Sequence, residues 1–349
     1  MNRTIPIIIL SLVLAAGCKR GNNHSGQAGP SAAAAVSLSS AANNASPPSD
    51  TGRSAQKAKE KDPDEVLSDK LKPYTDCINR ISRSEDRAKD RYYLWVDPKK
   101  GPTGHESNIM GLIGLTDPAN CVAGLDAAKT KQPSLPDVEA AGTAYGAAAS
   151  TLYPLTNEAD DYYTHKNYKD DKMAKGKEIH PKLAAAFDAF DKANADLKAQ
   201  VGPLNRQAKE RILAKLEKTE GRKIPYLRGE SMLLAEDLMK LGDVKEPKAL
   251  DLPKFTAKLG EFEKVLHELS TYLEAHRHED SRTGLAGSIV KAGDEYLSAA
   301  KALMRRVRDK VPYDDSARAS LRDHEYDMVD GSPQQLLYRY NDLIDATTF

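Results

Sequence analysis

An all-α protein is predicted from three features of the chain. Apolar side chains recur at steps of three and four along most of it, and no sustained period-two alternation appears. The intervening positions are filled chiefly by Ala, Lys, Glu, Asp and Leu, which favour helix over sheet. The stripes are narrow, which suits hairpin-linked packing of the coiled-coil kind better than a globin-like cluster. An elongated bundle of long antiparallel helices is therefore expected, preceded by a signal peptide and a disordered tether. A length of 349 residues is ample for a core, and a formal net charge of +0 speaks against a dedicated nucleic-acid binder, which needs a basic surplus.

Residues 1–18 read as a targeting segment. Arg3 supplies a short positive start, and Ile5 to Ala16 form an apolar run too short to span a bilayer stably. Leu14-Ala15-Ala16-Gly17-Cys18 has the small residues before a cysteine that mark a bacterial lipobox, so Cys18 is the expected lipidation site and new N-terminus. A thioether lipid plus an N-acyl chain provides two-signal anchoring. Lys19, not aspartate, follows, which by the enterobacterial sorting habit directs the protein to the outer membrane, facing the periplasm. No other apolar run reaches the roughly twenty residues of a membrane helix. Residues 19–63, rich in Ser, Ala, Asn, Gly and Pro, hold too few large apolar groups to offset ordering entropy and read as a flexible linker.

The folded part, 64–349, opens with a stripe of Leu71, Tyr74, Ile78, Ile81, Ala88, Tyr92 and Trp95, stopped at Asp97-Pro98. A second stripe runs Val138, Ala141, Tyr145, Ala148, Leu152, Leu155, Ala159, Tyr162, with Pro154 expected to kink or split it. A third starts near Pro181 with Leu183, Phe187, Phe190, Leu197, Val201 and Leu204, and is expected to break at Gly202-Pro203. Leu227, Leu234, Leu238 and Leu241 mark a shorter helix closing at Gly242. Phe255, Leu259, Phe262, Leu266, Leu269 and Leu273 make the cleanest stripe. Leu285, Ile289, Ala292, Tyr296, Ala299 and Leu303 are its expected antiparallel partner. The last helix starts at Ser332-Pro333-Gln334-Gln335, with Ser332 as N-cap, Pro333 at N1 and Gln335 closing a capping box.

Cys77 and Cys121 are candidates for one disulfide in an oxidising compartment, worth about 4 kcal/mol in the chain-entropy account. Two separately buried thiols are the alternative.

Three separated blocks in order resemble the YiiG-like bacterial lipoproteins: CINRISRSEDRAKDRYYLWVDPKKGPTGHE from Cys77 to Glu106, YYTHKNYKDDKMAKGKEIHPKL from Tyr162 to Leu183, and VDGSPQQLLYRYNDLID from Val329 to Asp345. The resemblance covers nearly everything from Leu71 onward. It implies a lipid-anchored helical envelope protein with a domain of unknown function, and brings no catalytic residues with it.

Candidate chemistry concentrates in the polar hinge between the second and third stripes. Tyr162, Tyr163, His165, Tyr168, Asp170 and Asp171 have the composition of a ligand groove for a peptide or peptidoglycan fragment, since tyrosines stack on sugars and carboxylates accept hydrogen bonds. A helix corner with tyrosines packed inward is the simpler account. Neither pair of adjacent aspartates supplies facing carboxylates, because neighbours on a helix point about 100° apart. The WVDPKKGPTGHE segment lacks the lysine-serine/threonine ending of a phosphate loop; Gly101 suits a turn, and Thr103 with Glu106 reads as a capping box for a following helix. His276 and Asp280 share a helical face and form a weak metal pair, with a solvated helix end as the plainer reading. No cofactor is called for. The expected function is a non-enzymatic binding or scaffolding module of the envelope, held to the membrane by its lipid and meeting an envelope protein or peptidoglycan component. A periplasmic small-ligand or metal receptor and a carboxylate hydrolase are the alternatives.

Overall fold

The computed structural model describes residues 61–276, 283–322 and 329–347. Cys18, the signal segment, nearly all of the expected linker and Asp280 lie outside them. The described residues are helical, with no strand among them beyond an isolated bridge between Asp97 and Gly101. None of their helices is long and apolar enough to cross a membrane.

Helix α1 (Pro63–Tyr93) starts two turns before the first apolar stripe residue. Asp62 caps it by accepting from the Asp64 amide at 2.9 Å, Pro63 sits at N1, and Asp64 and Glu65 complement the dipole. Its stripe from Leu71 to Tyr92 is buried; Trp95 lies past the helix end and is half-buried. Of the capping box expected at Thr103 only the bond from the Thr103 amide to Glu106 forms, the Thr103 hydroxyl accepting from the His105 amide instead, and no helix starts. Glu106 accepts from the Thr103 amide, from Thr103 Oγ1 at 2.8 Å and from the Gly104 amide at 2.8 Å. The backbone then stays irregular up to Pro118, because left-handed Gly104 and Gly111 turn it out of helical geometry. The next helix is α2 (Ala119–Lys129), which no stripe announced.

Prolines decide less than expected. Helix α3 (Pro136–Thr164) runs through Pro154, and α5 (Ala174–Glu220) starts about two turns before Pro181 and runs through Pro203. All three prolines lie on the exposed face. A carbonyl left without its donor there is hydrated, while Leu152 and Thr156, or Val201 and Asn205, keep the opposite face packed. A short α4 (Tyr168–Asp171) sits between these two helices.

Helices α6 (Ile224–Gly242), α7 (Leu252–Ala275), α8 (Thr283–Arg308), α9 (Asp315–Arg322) and α10 (Pro333–Asp345) follow. α7 and α8 pack antiparallel: Phe262 meets Tyr296 with ring centroids 5.5 Å apart, and Leu266 lies against Gly293. Ser332 caps α10 by accepting from the Gln335 amide at 2.9 Å, whereas the Gln335 side chain reaches the Gly331 amide, one residue before the position that a capping box uses.

Two apolar cores result. The first joins α1, α2, α3, the 94–118 segment and α5 as far as Val201; the second joins Leu213 of α5 with α6, α7, α8 and α10. α5, 47 residues and roughly 70 Å long, belongs to both.

Candidate functional site

The hinge is built by the end of α3, α4 and the start of α5. Lys166, Lys172 and Met173 take left-handed conformations with φ of 58°, 55° and 70°, which bulky side chains adopt only when their surroundings impose them. Lys166 belongs to the turn that closes α3, with the Asn167 amide donating back to the Tyr162 carbonyl, whereas Lys172 and Met173 are held by a carboxylate. Asp171 accepts from the Tyr162 hydroxyl at 2.8 Å and from the amides of Met173 and Lys175 at 2.9 Å each. It therefore fills the N-terminus of α5, and those backbone donors, Lys175 first, hold its carboxyl below the usual range.

Tyr162 and Tyr163 are 5% and 4% exposed. Tyr163 packs edge-on against Trp95 and Tyr162, with centroids 5.0 and 4.9 Å away, and also touches Tyr92 and Tyr168. Its buried hydroxyl lies close to that of Tyr92 without hydrogen-bond geometry, and burial pushes it up to about 12. His180 of α5 completes the cluster, its Nδ1 3.0 Å from the Tyr92 hydroxyl. Burial lowers its pKa, which favours the neutral ring. Left-handed Gly101 lies on this imidazole; a Cβ there would stand 2.7 Å from Cδ2. Among the expected hinge residues, then, Tyr162, Tyr163 and Asp171 are brought together and spent on packing, and Tyr168 is half-buried beside them. Asp170 and His165 face solvent, the latter with Nδ1 2.8 Å from the Asp161 carbonyl.

The 94–118 segment is the less foreseen feature. The Trp95 indole donates to the Gly111 carbonyl at 2.8 Å and Arg91 Nε to that of Met110 at 2.9 Å. The amides of Gly114, Leu115 and Thr116 donate to Asp160, Thr156 and Ser84. Val96, Leu112 and Leu115 are buried beneath it, while Leu94, Met110 and Ile113 stand 43%, 36% and 42% exposed. A segment without regular structure is thus fixed at closely spaced points and holds three large aliphatic side chains in water.

Buried acids occur elsewhere, on α1. Glu85 is 1% exposed with no hydrogen bond to Oε1, and Asp86 has Oδ2 sealed from water and unpartnered. Being neighbours on one helix, they do not face each other, and neither lines the grooves described here. Stripe reading missed Glu85, yet the signal was there: it fills the i+4 place after Ile81, where the apolar stripe skips to Ala88. His276, at the end of α7, is stacked on Tyr272 with ring centroids 4.0 Å apart and has Nδ1 2.8 Å from that residue's carbonyl. Among the described residues no group of three or more His, Cys, Asp or Glu is placed to hold a metal ion.

Two grooves are open. One, about 680 Å³, runs between α8 and α10 past Lys291, Asp294, Arg305 and Arg339. The other, about 470 Å³, lies between α1 and α2. Neither borders the hinge. Cys77 and Cys121, the first on α1 and the second on α2, are joined as a disulfide with Cα atoms 5.2 Å apart.

Comparison with known proteins matches this architecture to a family. A profile described as "Protein of unknown function (DUF3829)" covers residues 65–347, and so takes in both cores and all three sequence blocks noted above. The uncharacterized protein YiiG of Escherichia coli (strain K12) is 31% identical over 284 residues, spanning 80% of this chain and 78% of its own. No solved structure matches. With the profile extending from the first turn of α1 to just past α10, the chain belongs to the DUF3829 family, whose function is unknown.

Proposed function

We propose that this chain is a lipid-tethered helical module of the cell envelope that binds another envelope protein and performs no chemistry of its own. In this reading Cys18 carries the lipid, residues 19–63 form the tether, and 64–349 present a binding surface to the periplasm from the outer membrane. The observation that carries it is the exposed aliphatic set Leu94, Met110 and Ile113 on a backbone too well anchored to fold them away. Apolar area left in water forgoes roughly 25 cal/mol per Å², which a partner recovers by covering it. Aliphatic side chains favour a protein partner over a glycan, for which stacking aromatic rings would be needed, and the hinge tyrosines that have such rings are already packed.

A photo-crosslinker at Ile109, in the full chain within intact envelopes, tests the reading. The parent is expected to capture a discrete protein, and a Leu94→Ser/Met110→Ser/Ile113→Ser variant with unchanged far-UV circular dichroism is expected to lose it. Equal capture by both chains, or none by the parent, overturns the reading.

A further inference from the structure

We propose that the Cys77–Cys121 bridge is a site of reversible thiol–disulfide exchange, reduced in the native fold by a dithiol that enters the groove between α1 and α2. The inference is independent of the envelope-binding reading. It rests on where the bridge lies: both cysteines line an open groove of about 470 Å³. Both residues are largely buried, Cys121 at 9% exposure less so than Cys77 at 3%, and the sulfur attacked first is taken to be that of Cys121.

Gly124 keeps the approach open. It lies one turn after Cys121 on α2 and lines the same groove. Glycine inside a helix is less favourable than alanine. At Gly142 a close neighbour explains that cost, since a Cβ would stand 2.6 Å from Tyr74 Cε1. At Gly124 a Cβ would meet nothing within 4 Å, so alanine would fit there without contact, and only a longer side chain would reach across the groove.

The surroundings also suit the chemistry. Cys121 is the third residue of α2, in the first turn, where the helix dipole favours the thiolate released when the mixed disulfide resolves, against the Asp117 carboxylate that already accepts from the Ala119 amide at 2.8 Å. Arg80, one turn after Cys77 on α1, Lys72 and Lys131 line the groove together with Asp69 and Asp76, a balance of charge that leaves it slightly positive. In the first step the entering thiolate attacks Cys121 Sγ, the S–S bond breaks, and Cys77 leaves as a thiolate that takes a proton from water. In the second, the other thiol of the dithiol attacks its partner sulfur in the mixed disulfide and releases Cys121 as a thiolate. Two electrons pass to the bridge, and the dithiol leaves as a cyclic disulfide. The C-terminal end of α2 is held apart from the bridge, by the Lys70 ammonium on its last carbonyls and by buried Leu125 and Ala128, so reduction frees only the first turn.

Reduction of the full chain by dithiothreitol, followed by alkylation and peptide mapping that separates Cys77 and Cys121 from Cys18, tests this. The rate is expected to rise linearly with dithiol concentration while far-UV circular dichroism stays constant. Gly124→Leu, which fills the groove, is expected to slow reduction about tenfold by blocking access, with Gly124→Ala closer to the parent. Arg80→Glu is expected to slow it several-fold at low salt. A rate independent of dithiol concentration and equal to that of global unfolding overturns the proposal, as does a Gly124→Leu chain reduced as fast as the parent.

Discussion

Glu85 shows how one side chain on an apolar stripe sets the pH response of an interface. Burial raises its carboxyl well above the usual range, and the Asp86 charge adds to the effect. Asp86 is itself pushed up to about 7, again first by burial. The charges around them are Lys89 and Asp90 on α1 and Asp191 and Lys198 on α5, with Tyr145 of α3 nearby; Lys89 lies 3.7 Å from Glu85 and pairs more closely with Asp191. A carboxyl whose folded pKa exceeds its unfolded value contributes stability that is complete below the unfolded value, near 4, and is lost as pH rises through the folded one. Glu85→Gln keeps the shape and removes the ionisation. In urea titrations it is expected to match the parent closely at pH 5 and to exceed it at pH 8 by about 1–2 kcal/mol, the parent having paid for an ionised or strained acid by then. An unchanged difference between the two pH values would sink this account.

At the scale of elements, α2 illustrates why a short helix needs external fixing. Its 11 residues carry only Cys121, Leu125 and Ala128 inward, too little to hold it by packing alone. The disulfide ties its first turn to α1. The other end is tied by Lys70, 1% exposed, whose ammonium donates to the carbonyls of Ala128 at 2.7 Å and Lys131 at 2.8 Å and to Glu139 Oε1 at 2.6 Å. A cation at helix-terminal carbonyls satisfies acceptors that the helix itself cannot, and Glu139 joins the start of α3 to the same point. Lys70→Met is expected to cost about 2–4 kcal/mol, because it strands buried acceptors as well as removing the charge. The denaturant midpoint measures the cost, and amide exchange should accelerate first in residues 125–131. Uniform acceleration across α1, α2 and α3 would show that the lysine is not a local clamp.

For the molecule as a whole, α5 is the member common to both cores. Where it leaves the first it is bound to α6 by charge: Arg206 makes paired hydrogen bonds to Asp237 at 2.7 and 2.9 Å and another to Glu210 at 2.6 Å, while buried Lys209 lies 3.7 Å from Glu236. Continuous helix plus this network should make the cores unfold together. Trp95, the single tryptophan, packs against the first core, so its fluorescence follows that core while far-UV circular dichroism follows all helices. The two urea transitions are expected to coincide in the parent. Arg206→Ala, which removes about 1–3 kcal/mol of charge-assisted bonding, is expected to separate them. Coincident transitions in that variant would mean that α5 alone transmits the coupling.

The stripes of α1, α3, α5, α6, α7 and α8 and the Ser332 start of α10 were legible in the sequence, because helical periodicity and capping are local properties that each segment states for itself. The irregular 94–118 segment, α2 and the passage of α3 and α5 through Pro154 and Pro203 were not, since each is settled by the tertiary surroundings: Trp95 on Gly111, Lys70 on the end of α2, and the outward face on which the prolines lie. The same division holds at the hinge. Its tyrosines and acids were visible as a polar cluster, but only tertiary packing determined that Tyr163 turns inward and that Asp171 is consumed as the cap of α5. Periodicity reports which residues are apolar; it does not report which polar residue the fold encloses with them, and for that reason Glu85 and the groove over Cys121 emerged only from the assembled helices.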